Sequence, residues 1–392
     1  MLAIDVGSTK ISCAVAQQTV HEQLMAPGWM AAQPTWRIVG HGMASYPLSM
    51  TALGDPAAMT QALVQALRAI QFEPLPDRAI ISVSHPHLKH ATVTTQLQLA
   101  DQPVTIRARE LTRLASKAVG EALGIDREAL LVEPIGYAGN GFEGIRDPRG
   151  LMATGLVGTF HVVSIPLAAK RALVHALDEV GVEVDRLVYT MKALALGCEM
   201  AAASSTDTGP SSASRLLLID IGGACTDLAL VEQGFIRKAA TLAWGGTALT
   251  EQLAKTCRLP LEQALAVSLE GLASQKPTVR QLVEEHLRTL REALHALLRE
   301  EVPPDAVLVT GRGALLDGMV EWVETMTERP TELGRHSALQ PLGDLGVQLA
   351  FVPVRGLLNL LQQPSRPLVA PSSTRLVDRI LNRTRHLLVE YF

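Results

Sequence analysis

One construction occurs twice in this chain, and the repetition limits the possible folds more than any other feature. Leu216 to Val231 reads LLLIDIGGACTDLALV. A short apolar run ends at Asp220, Gly222 and Gly223 permit a tight turn, and Leu228 to Val231 returns as a strand. Leu2 to Val15, LAIDVGSTKISCAV, repeats the plan, with Asp5 closing the run, Gly7 and Ser8 at the turn and Ile11 to Val15 returning. Glycine-lined hairpins expose backbone N–H groups suited to phosphate oxygens, and an aspartate at the turn suits a hydrated magnesium ion. Lys10 adds a point charge within reach of a phosphate. Either run alone reads most simply as an ordinary hairpin. Two of them, about two hundred residues apart, predict a duplicated α/β domain with facing phosphate loops.

That pattern resembles the actin, Hsp70 and sugar kinase superfamily. The rest of the composition is compatible with it. A chain of 392 residues, 47% hydrophobic, is long enough for two to three domains with sizeable cores. A net charge of -4 supplies no basic field, so nucleic acid is not an expected partner. Cys13, Cys198, Cys225 and Cys257 are scattered without CxxC spacing, which argues against a zinc site or a disulfide framework. Met1 leads directly into the first strand without a secretory signal, and no apolar run reaches the ~20 residues needed to span a bilayer. The expected location is the cytoplasm, with any membrane contact peripheral.

Along the chain, Val20 to Pro47 reads as loop-rich and Asp55 to Gln71 as a helix. Ala79 to Val83 is a strand. From there to about Gly158 the simple βα alternation is interrupted by a polar strand-like stretch (Ala91 to Leu99), an amphipathic helix (Arg109 to Leu123) and two more strand candidates, which reads as an inserted subdomain. Arg109, Arg113 and Lys117 on one face of that helix make a solvated surface or a contact patch. Phe160 to Ser164 reads as a strand returning to the first domain, followed by a helix closed by Gly181 and another over Met191 to Ala203. SSTDTGPSSAS is a surface loop by composition. After the second hairpin, Trp244-Gly245-Gly246-Thr247 precedes helices over Ala248 to Thr256 and Leu261 to Leu272. The leucines of a long helix from Thr278 to Glu300 belong to a core. Ala306 to Thr310 is a buried strand and Gly311-Arg312-Gly313 a turn that lets a ligand approach the backbone. Leu349 to Val354 reads as a last strand and Gly356 to Leu361 as a short helix.

The tail is informative. Gln362 to Ser373 is a proline-broken linker, and Thr374 to Phe392 has helical periodicity. Leu376, Val377, Ile380, Leu381, Thr384, Leu387, Leu388, Tyr391 and Phe392 share one face, while Arg375, Arg379, Arg383 and Arg385 lie on or beside the other. A helix tethered in this way suits an anionic membrane surface, where each arginine contributes about 1 kcal/mol. Docking on its own or a neighbouring subunit is the simpler fate of such helices.

Paired hairpins, an insertion after the first few strands and an amphipathic tail together resemble FtsA, the family of actin-like bacterial division proteins that anchor filaments of tubulin-like FtsZ to the membrane. Gly144 to Gly150 (GIRDPRG), His161 to Ser164 with the helix after it, and the Trp244-Gly245-Gly246 turn also carry the likeness. The resemblance implies an actin-like, two-lobed α/β fold. Its first lobe would be residues 1–82 with 159–190 and 355–361, its inserted subdomain 83–158, its second lobe 191–354, its linker 362–373 and its membrane-targeting helix 374–392. It also implies ATP and Mg2+ between the lobes. Asp5, Gly7, Ser8, Thr9 and Lys10 would form the first phosphate loop and Asp220, Gly222 and Gly223 the second, with Asp5 and Asp220 on the metal. Gly245, Gly246, Gly311 and Arg312 would border the nucleotide. Implied partners are an FtsZ-like filament protein, further copies of this chain in actin-like filaments, and an anionic membrane on its cytoplasmic side.

The sequence departs from the family pattern in four places. Ala224 and Cys225 stand where a third glycine and a threonine are usual, and Leu265 and Ser268 where a glutamate and a lysine face the adenosine. Arg312 replaces the second of two adjacent glycines, and Thr190 stands for a glutamate that positions the attacking water. Each lost hydrogen bond to a buried ligand costs about 1–3 kcal/mol. The expectation is therefore weak ATP binding, negligible hydrolysis and no catalytic residue to assign. Two other readings share the core: a small-molecule kinase, for which Asp227 is the nearby candidate base although it more readily faces metal or solvent, and an actin-like scaffold of the pilus-assembly type.

Overall fold

A computed structural model describes residues 1–25, 29–46, 55–199 and 215–362. The linker and the membrane-targeting helix expected over 362–392 lie outside the described residues from 363 onward. Among the described residues no helix is long and apolar enough to cross a membrane.

The first hairpin forms as its pattern requires. β1 (Leu2–Val6), buried throughout, pairs antiparallel with β2 (Lys10–Met25), and β2 pairs with β3 (Trp29–Ser45). The loop expected over Val20 to Pro47 is instead largely this ribbon. Its backbone pairs continue past Ala16, where the sequence shows no apolar alternation, so periodicity is silent there. A hydrogen bond of 2.9 Å between the Thr19 and Thr35 hydroxyls marks the cross-strand register. α1 (Pro56–Arg68) begins with proline at its first position, and the Asp55 carboxylate accepts from the N–H groups of Ala57 and Ala58. β4 (Arg78–Val83) returns parallel to β1.

Next come β5 (Lys89–Gln98), β6 (Val104–Thr105), α2 (Ala108–Ala122), β7 (Arg127–Gly139), β8 (Phe142–Ile145), β9 (Met152–Ala153) and β10 (Gly155–Pro166). Residues 91–164 belong to a compact unit of their own. Its four-stranded sheet has the order β5-β10-β7-β8, and β6 pairs with β9. Leu114 and Ala118 of α2 pack with Val132, Leu156, Phe160 and Val162 in a separate core. Tyr137 meets Phe160 edge-on at 5.7 Å. The run Phe160 to Ser164, expected to return to the first lobe, lies in β10 between β5 and β7. Its neighbours in the sheet, which a single strand cannot reveal, decide its allegiance. The basic face of α2 is partly engaged within the unit, since Arg109 pairs with Glu110 and Lys117 donates to the Gln96 carbonyl.

The larger unit, residues 1–90 and 165–364, resumes with α3 (Leu167–Glu179), β11 (Glu183–Tyr189) and α4 (Thr190–Gly197). α4 ends at Gly197, short of the Ala203 expected. Its second half consists of β12 (Arg215–Ile221), β13 (Thr226–Glu232), β14 (Phe235–Leu242), α5 (Gly246–Cys257), α6 (Leu261–Leu269), α7 (Pro277–Leu298), β15 (Ala306–Thr310), α8 (Met319–Thr327), β16 (Thr331–Leu333) and α9 (Leu345–Leu360). The leucines of α7, with Val283, enter the core with Leu217, Ile219 and Val309.

The duplication is visible in the connectivity. One sheet runs β3-β2-β1-β4-β11 and the other β14-β13-β12-β15-β16. Corresponding pairs have the same sense: antiparallel for β1–β2 and β12–β13, parallel for β1–β4 and β12–β15. α4 follows the last strand of one sheet and α9 that of the other. The strand expected at Leu349 to Val354 is part of α9. That run is buried on all sides, so it carries no period to separate strand from helix. Gly356, read as the start of a short helix, is where the two helices touch: a Cβ there would lie 1.7 Å from the Ala193 carbonyl oxygen.

Candidate functional site

Both hairpin turns close in the same way, with the N–H of Gly7 donating to the Lys10 carbonyl and that of Gly222 to the Cys225 carbonyl, each at 3.0 Å. The aspartates occupy matching registers. Asp5 lies opposite Ser12 and beside Ser82, and Asp220 lies opposite Asp227 and beside Thr310. The two turns face one cavity lined by Asp5, Gly7, Ser8, Thr9 and Lys10 from the first hairpin and Asp220, Gly222 and Gly223 from the second. Gly311 and Arg312 also line it, as do Ser84, Thr190 and Thr310. Gly311, with φ 79°, approaches the Asp220 carboxylate so closely that a Cβ would fall 2.5 Å from its Oδ1.

Gly245 and Gly246 are placed differently. They lie behind the second loop, where Gly246 N–H donates to the Gly222 carbonyl and Thr247 N–H to the Gly223 carbonyl, both at 3.0 Å. Leu265 and Ser268 do not line the cavity; the Ser268 hydroxyl donates to the Leu265 carbonyl of its own helix. Thr190 does line it, 4% exposed, and its hydroxyl has no hydrogen-bond partner.

Burial sets the electrostatics. It raises the Asp5 carboxyl to about 6, against the lowering effects of the Ser82 hydroxyl and Lys10. It raises Asp220 to about 7, with the negative charges of Asp227 and Asp5 adding to the rise and Lys10 opposing it. Lys10 is lowered by burial while both carboxylates hold its proton in place and Arg312 repels it. Asp5 and Asp220 with water are a hard-oxygen donor set that fits magnesium, and Lys10, Ser8, Thr9 and the loop N–H groups fit phosphate. The space is another matter. The cavity measures about 50 Å3, whereas ligand pockets start at roughly 300 Å3. A nucleotide is larger than this space.

Direct bonds between the halves account for the narrow space. The Ala224 N–H donates to Ser8 Oγ at 2.9 Å. The Thr9 methyl occupies the place where a Cβ on Gly223 would be. Asp227, read from sequence as facing metal or solvent, is 1% exposed and accepts from the hydroxyls of Ser84, Tyr189 and Thr241. Those three partners went unread. The signal that could have found them is a carboxylate inside the apolar run TDLALV, which demands donors somewhere in the fold. Among the described residues no cluster of three or more His, Cys, Asp or Glu side chains forms a metal site.

The comparisons with known proteins agree with this architecture. Residues 217–347 match the model of the family described as cell division protein FtsA, and residues 86–164 match the SHS2 domain inserted in FtsA. The cell division protein FtsA of Pseudomonas aeruginosa is 23% identical over 373 residues, covering 88% of this chain and 85% of that protein. That of Borreliella burgdorferi is 23% identical over 390 residues, covering 91% and 90%. Among solved structures, a chain of the PilM–PilN type IV pilus biogenesis complex superposes with a TM-score of 0.66 at 16% identity, covering 93% of this chain and 98% of that one. The fold is actin-like, with duplicated sheets and the inserted subdomain. This chain is an FtsA-like protein, carrying both the FtsA match and the SHS2 domain inserted in FtsA.

Proposed function

We propose that this protein is a scaffold of the division machinery that tethers an FtsZ-like filament at the cytoplasmic face of the membrane and associates with further copies of itself. The observation that carries the reading is the coincidence of the FtsA match with a cleft whose two loops bond to each other. Here Ser8 satisfies the N–H of Ala224, and the residues that distinguish the family's adenosine contacts are absent. Mg-ATP remains the ligand class that suits Asp5, Asp220 and the two loops, bound weakly and hydrolysed negligibly. Membrane attachment falls to the segment Thr374 to Phe392 through its apolar stripe and arginines.

The test is co-sedimentation with anionic and neutral vesicles, using the full chain and a version ending at Gln363, with and without FtsZ. The full chain pellets with anionic vesicles and carries FtsZ with it, and the shortened chain stays in the supernatant. Equal pelleting of the two versions sinks the tail assignment, and FtsZ left in the supernatant sinks the tether. Isothermal titration with Mg-ATP gives at most weak heats; tight binding or steady phosphate release overturns the nucleotide half.

A further inference from the structure

We propose that Asp227 is a latch that holds the two halves of the larger unit shut without nucleotide, so that the cleft must unlatch before a nucleotide enters. The inference rests on the reading of the cleft as a nucleotide site and adds how that site is controlled. Asp227 sits on β13 of the second sheet, and its partners come from both sheets. Ser84 follows β4 and Tyr189 ends β11, adjacent strands of the first sheet whose register pairs Val83 with Tyr189. Two hydroxyls therefore arrive side by side from one half, with Tyr189 Oη 3.0 Å from Asp227 Oδ1 and Ser84 donating to Oδ2. The third, Thr241, is the cross-strand neighbour of Asp227 on β14, and its hydroxyl also bonds His90 Nε2 at 2.8 Å. Ser8 with Ala224 makes a second clasp.

This contact differs in kind from the one between α4 and α9. There the backbones meet through Gly197 and Gly356, and Asn359 Nδ2 donates to the Leu196 carbonyl at 2.7 Å. Water cannot substitute for a close backbone crossing. It can substitute for hydroxyls around a carboxylate, because each hydroxyl and each carboxylate oxygen finds an equivalent partner in water when the halves part. The helix pair is thus the permanent join and Asp227 the releasable one. Its donors are neutral and held at the ends of β4 and β11 and on β14, so the latch engages by geometry and needs no bound ligand.

Hydrogen exchange on the nucleotide-free full chain tests the latch. S84A/Y189F removes both first-sheet donors while keeping the phenyl ring of residue 189 and Asp227 itself. Amides of the turns at Gly7–Thr9 and Gly222–Ala224 exchange at least tenfold faster than in the parent, with those of β1 and β12 unchanged. T241V removes the second-sheet donor together with its bond to His90, and accelerates the turn amides less than S84A/Y189F does. Mg-ATP then slows exchange at the turns more in S84A/Y189F than in the parent. Parental exchange in S84A/Y189F, or equal acceleration in T241V, overturns the latch. If the double variant loses protection in β1 and β12 as well, S84A alone is used, with an acceleration of about threefold expected and none overturning the proposal. Vesicle binding and nucleotide titration report on the function proposed above, so that reading and the latch fail independently.

Discussion

The two hairpins have the same turn bond and the same registers, but they present different chemistry. The first presents side chains: Ser8, Thr9 and Lys10 all reach the cavity, and the Ser82 hydroxyl donates to Asp5 at 2.7 Å. The second presents backbone: Gly222 and Gly223 supply no side chains, the Ala224 N–H is taken by Ser8, and Thr310 beside Asp220 has an unpartnered buried hydroxyl. Where the first hairpin has Ser12 opposite its aspartate, the second has Asp227. Duplication fixed the strand order, while single side chains at equivalent places turned one loop into a donor set and the other into the surface it closes on. The contrast can be tested by perturbing the join between the halves, then their buried charges, then the loops.

The largest effect is expected at the join. Replacing Gly356 by alanine sets a methyl 1.7 Å from the Ala193 carbonyl oxygen and 3.0 Å from the Gly197 N–H nitrogen. These are backbone atoms that no rotamer change moves, so the helices must part, at a cost of about 3 kcal/mol or more. Thermal unfolding followed by circular dichroism should shift down by on the order of 10 °C. An unchanged midpoint would mean that α4 and α9 do not cross there.

Much of this was legible in the residues. The paired hairpins announced the duplicated sheets, because aspartate and glycine at the end of an apolar run leave few alternatives to a strand and a turn. Asp55 before Pro56 announced α1 for the same kind of local reason. The misreadings share a cause. In α9 the run Leu349 to Val354 is buried on every side, in β2 and β3 the ribbon continues past Ala16 without an apolar alternation, and Phe160 to Ser164 takes its identity from neighbouring strands. In each the run's own periodicity does not carry the answer. The cleft divides likewise. Asp5, Lys10 and Asp220 were readable from local motif, whereas Ser84, Tyr189 and Thr241 became visible only when the strands that carry them were placed opposite Asp227.

Buried charges separate the two compact units by pH. His161 in the insert and His286, stacked on Trp244 at 4.4 Å, are both lowered by burial to about 4. The unfolded chain takes up those protons first, near pH 6.5, so each histidine's contribution is present above that pH and is lost as pH falls toward 4, by up to about 3 kcal/mol. Glu110, lowered by its bonds to Arg109 and the backbone despite burial, adds a loss of the same sign to the insert. In the larger unit Asp5 and Asp220 are raised to about 6 and about 7, so they favour the folded state more as pH falls through that range and offset His286. Hydrogen exchange between pH 7 and 4.5 should show protection falling more steeply in residues 91–164 than in β1 and β12. H161Q should flatten the insert's profile and leave that of the larger unit in place. Parallel profiles in the parent would contradict the assigned burial.

Smaller effects separate the loops. A Cβ at Gly7 comes no nearer than 3.1 Å to the Lys10 carbonyl oxygen and 3.9 Å to its Cγ, whereas one at Gly245 lies 2.4 Å from the Gly223 carbonyl and 2.6 Å from that of Gly222. Gly7→Ala should cost less than about 1 kcal/mol and Gly245→Ala about 2 kcal/mol, read as the difference between two denaturant midpoints. Equal costs would mean that the second loop is no more tightly backed than the first.

The smallest expected change comes from restoring the family-like second loop, A224G with C225T. If the loop's own residues set the weak nucleotide binding, the double substitution should recover affinity by orders of magnitude. The geometry argues otherwise. Ser8 bonds to the backbone N–H of residue 224, which glycine retains, and the cavity of about 50 Å3 is lined by Thr9 and by Ser84, whose bond to Asp227 the substitution leaves in place even as it alters the 3.5 Å contact of Ser84 with Cys225. Mg-ATP affinity should therefore rise by less than about tenfold, equivalent to 1.4 kcal/mol. Adding the same two substitutions to S84A/Y189F should give more than the product of the separate gains, because a restored cradle contributes only once the halves can part. Titration calorimetry on the four chains closes the cycle. A large gain from A224G/C225T alone would place the barrier in the loop's sequence, and a merely multiplicative result would show closure and loop acting independently.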